Sequence, residues 1–156
     1  RFHCDPHPGN FAFREDGSVI VYDYGGVKLL SNDIVQHFKA LIQTSRQQNI
    51  ADIEQHLIAL HALTEAGKFP ETLYKEWLEV LLRPLITQYD FVENSAHHDG
   101  MALLKPSLKY WDLFKPSPDT LMVNRTISGH YWNMIHLKMN DDLTDLFDEI
   151  LPPLAQ

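Results

Sequence analysis

The chain is poor in cysteine, in positive charge and in long hydrophobic runs, and each shortage excludes a class of protein. Its 156 residues include a single cysteine, Cys4, so an internal disulfide is excluded. Lysine and arginine number 13 against 21 aspartates and glutamates, giving a net charge of -8. No basic stripe is present to neutralise phosphates, so we expect no nucleic acid partner. No apolar run approaches the roughly 20 residues that span a bilayer.

What remains is the composition of a globular protein. A length of 156 residues suits one domain, and a hydrophobic fraction of 44% is enough for one core. We therefore treat residues 1–156 as a single domain, in which residues 1–30 contain the sequence motifs and residues 31–156 form a helical region. Because the chain opens with Arg1 already inside a motif, we expect it to be a piece of a longer protein.

The most informative segment is residues 3–25, HCDPHPGNFAFREDGSVIVYDYG. Asp5 and Asn10 have the spacing D-x-x-x-x-N, and Asp23-Tyr24-Gly25 follows after two runs of β-type residues. A base followed by two metal ligands in this order is the layout of a phosphoryl-transfer site. The pattern therefore predicts phosphoryl transfer.

Each motif residue has a physical role in this prediction. Asp5 stands on a loop stiffened by Pro6, and a general base needs such positional restraint. Asn10 and Asp23 supply hard oxygen ligands, which suit Mg²⁺ when substrate phosphates and water complete its coordination. The residues predicted to shape the loop are His3, Pro6, His7, Pro8, Gly9 and Gly25.

A β-hairpin is predicted between the two halves of the motif, because Asp16-Gly17 separates two β-type runs. With a two-residue turn, Phe11 faces Tyr22 and Asn10 faces Asp23. Facing residues lie roughly 4.5–5.5 Å apart on one side of the sheet. The two predicted metal ligands would thus meet across the hairpin, although a longer turn would shift this register.

The rest of the chain is predicted to be mainly α-helical. Apolar residues at helical spacing predict helices at 34–42, 50–60, 73–85, 119–139 and 143–151. Ser31 or Asn32 is available to cap the first helix, and Asn49 to cap the second. Pro84 is expected to end or kink the third helix. Residues 89–100 predict a loop.

The octet HCDPHPGN at positions 3–10, with Asp23-Tyr24-Gly25, resembles the catalytic loop and metal-binding triplet of the UbiB/AarF/ADCK family of atypical, protein-kinase-like proteins. The resemblance implies the C-terminal lobe of a protein-kinase-like fold, mainly α with a short β-hairpin. It places Asp5 at the catalytic-base position and Asn10 and Asp23 at the Mg²⁺ positions. The cofactors it implies are Mg²⁺ and ATP.

The same resemblance implies an enzyme, either an ATPase or an unorthodox small-molecule or lipid kinase linked to coenzyme Q or isoprenoid-lipid metabolism. Protein phosphorylation is not the expected activity. The implied partners are Mg-ATP, the N-terminal lobe of the same protein, and a lipid or coenzyme Q precursor. The family's nucleotide loop and ATP-positioning lysine are not present before Arg1, so we expect residues 1–156 alone to be inactive.

Two further expectations follow from the resemblance. The surface that meets the N-terminal lobe should expose apolar side chains near Phe2, Phe11, Tyr24 and Val27. The chain should be a soluble lobe without a transmembrane segment, from a parent protein that is cytoplasmic and membrane-associated or mitochondrial.

Three alternatives stay open. An aminoglycoside- or choline-kinase-like phosphotransferase also has an H-x-D-x-x-x-x-N loop, but Pro6 and Gly25 favour the UbiB/AarF family. A non-catalytic pseudokinase scaffold is disfavoured for the parent protein, because the base and both metal ligands are retained, but it is the expected state of residues 1–156 alone. A zinc module is suggested by His3, Cys4 and His7, yet no second cluster completes four ligands.

Overall fold

The structure is a computed structural model that describes residues 1–94 and 96–151. It is mainly α-helical with short antiparallel strand pairs, as predicted. The α-helices of the described residues are α1 Asn32–Arg46, α2 Ile50–Ala59, α3 Glu71–Ile86, α4 Ala96–Ser107, α5 Pro118–His136 and α6 Thr144–Ile150. The strands are β1 Phe2–His3, β2 Phe11–Phe13, β3 Val19–Val21, β4 Val27–Lys28, β5 Tyr89–Asp90 and β6 Asn140–Asp141. Short 3-10 helices lie at Pro8–Asn10 and Leu108–Leu113.

The predicted hairpin is present as β2 and β3, but its turn is longer than predicted. The amide of Arg14 donates to the Ser18 carbonyl at 3.0 Å, and the amide of Gly17 donates to the Arg14 carbonyl at 3.0 Å. Gly17 has a φ of 82°, in the left-handed region that glycine adopts without strain. This is a three-residue loop that ends in a left-handed glycine, a common form of hairpin connection.

The longer turn makes the predicted register wrong by one residue. Phe11 lies opposite Val21, and the amide of Tyr22 donates to the Asn10 carbonyl at 2.9 Å. Asn10 is therefore opposite Tyr22, and Asp23 lies one residue beyond the paired part of the hairpin. The hairpin alone does not bring the two predicted metal ligands face to face.

The helix starts near the site follow the predicted capping. The Ser31 hydroxyl accepts the amide of Ile34 at 3.3 Å, and the Asn49 side chain accepts the amide of Asp52 at 3.3 Å. Each contact satisfies one of the amides that a helix start leaves without a partner. Helices α1 and α2 begin where the sequence predicts.

The core lies among the helices and not under the motif segment. It is built on Ile53 of α2, on Phe69 just before α3, and on three residues of α3: Tyr74, Leu78 and Leu82. Phe69 makes edge-on ring contacts with Tyr74 at 4.7 Å and with Phe114 at 5.2 Å. Aromatic pairs in this geometry add to the stabilisation from apolar burial. Residues near 110–114 are thus fixed against α3.

In the middle of the chain, Pro84 was expected to end or kink α3. It does not end the helix, which continues to Ile86, and the kink stays a prediction. The prediction for the residues after α3 is wrong. Residues 89–100 are not a loop throughout, because β5 and the start of α4 lie within them. Helix α4 packs on α3 through Gly100, where an added Cβ would lie 3.5 Å from Trp77.

Helix α5 is held at its start by contacts with α2. The Ser117 hydroxyl accepts the amide of Thr120 at 3.2 Å, so Ser117 is the cap of this helix. The Thr120 hydroxyl donates to the Leu60 carbonyl at the end of α2 at 2.8 Å. In the part of the chain that the structure describes, none of the helices is long and apolar enough to cross a membrane.

Candidate functional site

The two motif segments lie side by side between two strand ladders. The amide of Cys4 donates to the Gly26 carbonyl at 2.8 Å, which extends the β1–β4 ladder. The amide of Tyr22 donates to the Asn10 carbonyl at 2.9 Å, which extends the β2–β3 ladder. Residues 4–10 and 22–26 are joined by these two bonds into a closed backbone loop, which contains Asp5 and Asp23. We call this closed loop the ring. The β1–β4 pairing was not predicted from sequence, because each strand has only two residues.

His3 joins the two sides of this ring. Its Nε2 lies 2.6 Å from the carbonyl oxygen of Asp23, and its Nδ1 lies 3.4 Å from the amide of Asp5. A carbonyl only accepts and an amide only donates, so the tautomer that satisfies both contacts has its proton on Nε2. The ring of His3 also lies 5.6 Å from that of Phe11. One imidazole therefore contacts the loop, the Asp23 segment and the hairpin.

The carboxylate of Asp5 is oriented by its own loop. The side-chain amide of Asn10 donates to Asp5 Oδ2 at 2.8 Å, and the backbone amide of His7 donates to Asp5 Oδ1 at 3.3 Å. The Asn10 bond is the main cause that lowers the pKa of Asp5, with smaller contributions from the His7 amide and the charges of His7 and Arg125. The carboxyl is ionised at neutral pH, as a proton acceptor requires.

The turn that returns Asn10 to Asp5 depends on His7 and Gly9. The Nδ1 of His7 accepts the amide of Gly9 at 3.1 Å, and the carbonyl of His7 accepts the amide of Asn10 at 3.0 Å. A Cβ on Gly9 would lie 3.0 Å from His7 Nδ1, closer than the imidazole tolerates without shifting. Gly9 therefore permits the tight turn that brings the Asn10 amide to the carboxylate.

The other side of the ring approaches Asp5 closely. A Cβ on Gly26 would lie 3.1 Å from the Asp5 Cβ. The Oδ1 of Asp23 accepts the amide of Gly25 at 2.7 Å. This short turn fixes the Asp23 carboxylate beside the glycine pair.

Asn10 Oδ1 and Asp23 Oδ2 are side-chain oxygens of the ring that accept no protein hydrogen bond among the described residues. Asp23 is exposed and Asn10 is half-buried. Both are hard oxygen donors of the type that Mg²⁺ takes from proteins. The donor chemistry of the ring fits a magnesium ion that draws its remaining ligands from water and phosphate.

Helix α5 packs against the loop that contains Asp5 and Pro6. This contact was not predicted from the sequence. The side-chain amide of Asn133 donates to the Pro6 carbonyl at 2.7 Å. A Cβ on Gly129 would lie 2.1 Å from the Pro6 Cγ, so only glycine fits there. Glycine inside a helix is less favourable than alanine by roughly 0.5–1 kcal/mol, so the Pro6 contact explains a residue that helix propensity disfavours.

The same helix reaches the hairpin through His130. Its ring lies 6.0 Å from that of Phe11. Burial, and then the charge of His3, lower the pKa of His130. A neutral imidazole is therefore favoured here, next to the aromatic side chain of Phe11. The only sequence signal for these contacts was a glycine inside a helical stripe, one turn before Asn133.

The zinc alternative finds no ligand set in the structure. Within residues 1–94 and 96–151, no three or more His, Cys, Asp or Glu side chains are grouped to hold a metal ion. Cys4 is buried, with 4% of its surface exposed, and its thiol points to the Phe2 carbonyl. The nitrogens of His3 and the Nδ1 of His7 are engaged within the motif itself.

The apolar surface predicted around the site is present in part. Tyr24 is 70% exposed and Val27 is 39% exposed. Phe2 and Phe11 are half-buried, because β4 pairs with Phe2 while two histidines cover Phe11.

Comparison with known proteins shows a family resemblance in the first part of the chain. Residues 1–57 match the model of the ABC1 atypical kinase-like domain. The chain is 35% identical over 66 residues to Protein ACTIVITY OF BC1 COMPLEX KINASE 7, chloroplastic, of Arabidopsis thaliana, which covers 42% of this chain and 10% of that protein. It is 37% identical over 65 residues to an uncharacterized protein of Synechocystis sp., covering 41% of this chain and 11% of the relative. No solved structure matches.

The matched part of the chain spans about a tenth of the length of these relatives. Residues 1–57, which match the family model, contain the whole ring between the two ladders and with it every predicted site residue. The resemblance drawn from the octet and the Asp23 triplet is confirmed over residues 1–57 as a kinase-like one. Helices α3 to α6 lie outside the match.

Proposed function

We propose, from the ABC1 atypical kinase-like character of residues 1–57, that this chain supplies the catalytic base and the metal ligands of a Mg²⁺-dependent, ATP-consuming phosphoryl-transfer site. Asp5 is the base, and Asn10 and Asp23 are the metal ligands. The observation that carries the proposal is the ring in which the Asn10 amide holds the Asp5 carboxylate while His3 joins that loop to Asp23.

Asn10 and Asp23 each use one polar side-chain atom within the protein and keep an oxygen for a metal ion. Asn10 uses its amide nitrogen on Asp5, which leaves its oxygen for a cation. Asp23 uses one carboxylate oxygen on the Gly25 amide, which leaves the other. Two protein oxygens are a typical share for Mg²⁺, because this ion retains water and binds substrate phosphates. A Mg²⁺ ion held by Asn10 and Asp23 would supply positive charge to neutralise the transferring group.

Asp5 would accept the proton of the attacking hydroxyl or orient the attacking water. A carboxyl whose pKa is lowered from its ordinary value is ionised at physiological pH, as a proton acceptor must be. In phosphoryl transfer most of the rate acceleration comes from positioning and charge stabilisation, with little covalent chemistry by the protein. The orientation of the carboxylate by two hydrogen bonds supports this role.

For the whole protein we propose an ATPase or an unorthodox small-molecule or lipid kinase, linked to coenzyme Q or isoprenoid-lipid metabolism. The proposal rests on the family resemblance of the first segment, and the acceptor would be a lipid or coenzyme Q precursor. The rival is an aminoglycoside- or choline-kinase-like enzyme. If aminoglycosides or choline stimulate ATP consumption by the full-length protein and phenolic or lipid compounds do not, the rival wins.

The metal role is tested by Asp23→Asn in the full-length protein, with Asp16→Asn as the matched control. Asp16 lies at the hairpin tip, where its side chain accepts the Ser18 amide at 2.9 Å. Asparagine keeps a carbonyl oxygen at both positions but removes the charge. We expect Asp23→Asn to weaken Mg²⁺-dependent nucleotide binding by about tenfold or more, because even the loss of an outer-shell partner of a metal ligand costs about 10–100-fold in affinity. Asp16→Asn should bind like the wild type, and an unaltered Mg²⁺ dependence in Asp23→Asn would refute the assignment.

A further inference from the structure

Helix α5 contacts the loop at the residue that follows the proposed base. Gly129 and Asn133 are one helical turn apart, so they lie on the same face of α5. Both contact Pro6, one through van der Waals packing and the other through a hydrogen bond. We propose that Gly129 and Asn133 are positioning residues, which fix the ring and the carbonyl of Pro6 and thereby aim the carboxylate of the adjoining Asp5. The inference rests on the proposed function, since it assigns to α5 the placement of that site's base.

The hydrogen bond from Asn133 fixes the outgoing peptide of the loop. The Pro6 carbonyl accepts the Asn133 amide at 2.7 Å, and the Asn133 side chain is half-buried on α5. Pro6 has a fixed φ, so holding its carbonyl leaves the adjoining backbone little freedom. Asp5 is bonded directly to this residue.

The packing at Gly129 fixes the distance between the Asp5–Asn10 loop and α5. The Pro6 ring occupies the space that a Cβ at position 129 would need, with 2.1 Å to Cγ and 2.8 Å to Cβ. Alanine could enter only if the loop moved away from α5. Alanine also favours helix more than glycine does, so Gly129→Ala stabilises the isolated helix while it displaces the loop. Loss of activity in this variant therefore reports the contact and not a weakened helix.

Neither residue contacts the proposed metal oxygens, so the effect should fall on the chemical step. Misplacing a catalytic group by about 1 Å costs on the order of a hundredfold in rate. We expect a lower kcat with an unchanged KM for ATP, since the nucleotide contacts would remain. A purely structural role for α5 would lower the amount of folded protein and leave kcat per folded molecule unchanged.

The experiment compares Gly129→Ala, Asn133→Ala and the exposed control Ser128→Ala in the full-length protein. The first two should lower kcat by at least roughly tenfold, and Ser128→Ala should leave it unchanged. Amide hydrogen exchange at His7, Gly9 and Asn10 should speed up in the first two variants, while α5 itself stays protected. Wild-type kcat and wild-type exchange in both variants would overturn the inference.

Repeating the Gly129→Ala substitution in a Pro6→Gly variant makes the test specific to the Pro6 ring. Pro6→Gly removes every ring atom that a Cβ at 129 would meet. In that background Gly129→Ala should cause no further loss of kcat and no further gain in loop exchange. The same additional loss in both backgrounds would show that Gly129 acts elsewhere, which would contradict the inference.

An Asp5→Asn variant distinguishes failure of the proposed base from failure of the proposed role of α5. If it abolishes turnover while Gly129→Ala leaves turnover and loop exchange unchanged, the base stands and the role of α5 is refuted. If it leaves turnover intact, the proposed base is wrong, and loop exchange in Gly129→Ala and Asn133→Ala alone then decides whether α5 holds this loop.

Discussion

The Asp5 carboxyl and the Asn10 amide form the smallest unit of the site. Their hydrogen bond, at 2.8 Å, favours the charged form of the carboxyl and is the largest cause of its lowered pKa. Because the pKa is lowered, the favourable interaction is fully present above the ordinary pKa of the carboxyl. It is lost as the pH falls through the lowered value. The D-x-x-x-x-N spacing therefore has a direct chemical consequence.

Replacing Asn10 with alanine should raise the pKa of Asp5 toward 3.8, the ordinary value for the carboxyl. The measurement is an NMR titration of the side-chain carboxyl carbons. Asp16 provides an internal control, because its own lowered pKa depends on Ser18 and lies away from the substitution. An unchanged midpoint for Asp5 in Asn10→Ala would contradict the assigned cause.

Single residues also limit what the sequence could predict. The roles of Asp5, Asn10 and Asp23 followed from residue chemistry and spacing, and they stay predictions. The bracing by His3 was predicted only in outline, because its partner atom is a backbone carbonyl 20 residues away. Gly129 is itself a sequence signal, since a glycine inside a helical pattern suggests a packing reason, and here that reason is the Pro6 ring.

At the scale of an element, the hairpin shows how one residue's backbone sets a register. Asp16-Gly17 correctly predicted a turn between two strands, but the loop length depends on the left-handed φ of Gly17. A two-residue and a three-residue turn use similar sequences, and the register differs by one. Sequence chemistry could not separate them, so the facing of Asn10 and Asp23 was wrong.

Gly17→Ala should destabilise the hairpin by about 1 kcal/mol, because alanine is strained at a φ of 82°. No atom lies within 4 Å of the added Cβ, so any loss comes from backbone conformation and not from a clash. Chemical denaturation gives the difference in unfolding free energy. Gly17→Asn should lose less, since asparagine tolerates the left-handed region. Equal stability of the alanine variant and the wild type would contradict the assigned turn.

The helices divide into those that local signals determine and those that tertiary contacts determine. Helices α1 and α2 begin at Ser31 and Asn49 as predicted, because a cap is a local hydrogen bond. Helix α4 was missed, since its first turn is polar and its glycine is explained only by Trp77 on another helix. Local patterns do not contain such long-range information.

At the scale of the whole molecule, the site segment is attached mainly to α5. Lys28 of β4 forms an ion pair with Asp119 in the first turn of that helix. Pro6 and Phe11 contact the same helix further along. These partners are 91 to 127 residues apart, so single-sequence reasoning had no access to them. The mainly α fold with a hairpin is confirmed, while the assignment to a kinase-like C-terminal lobe remains a prediction.

The ion pair predicts a small, salt-dependent contribution to stability. The side chains of Lys28 and Asp119 are 37% and 34% exposed, so solvent screens much of their attraction. We expect Lys28→Ala to cost less than about 1 kcal/mol, with the difference shrinking at high salt. The double variant Lys28→Asp with Asp119→Lys should recover part of the loss seen in each single reversal. Additive losses in the double variant would show that the two charges do not interact.

The most direct test of the central claim is the rate of ATP turnover by the full-length protein with Asp5→Asn, together with the dissociation constant for Mg-ATP. Asparagine keeps the shape of Asp5 and cannot accept the proton. We expect turnover to be abolished, while Mg-ATP binding stays close to that of the wild type. Unchanged turnover in Asp5→Asn would contradict the claim that residues 4–10 and 22–26 form a phosphoryl-transfer site with Asp5 as its base.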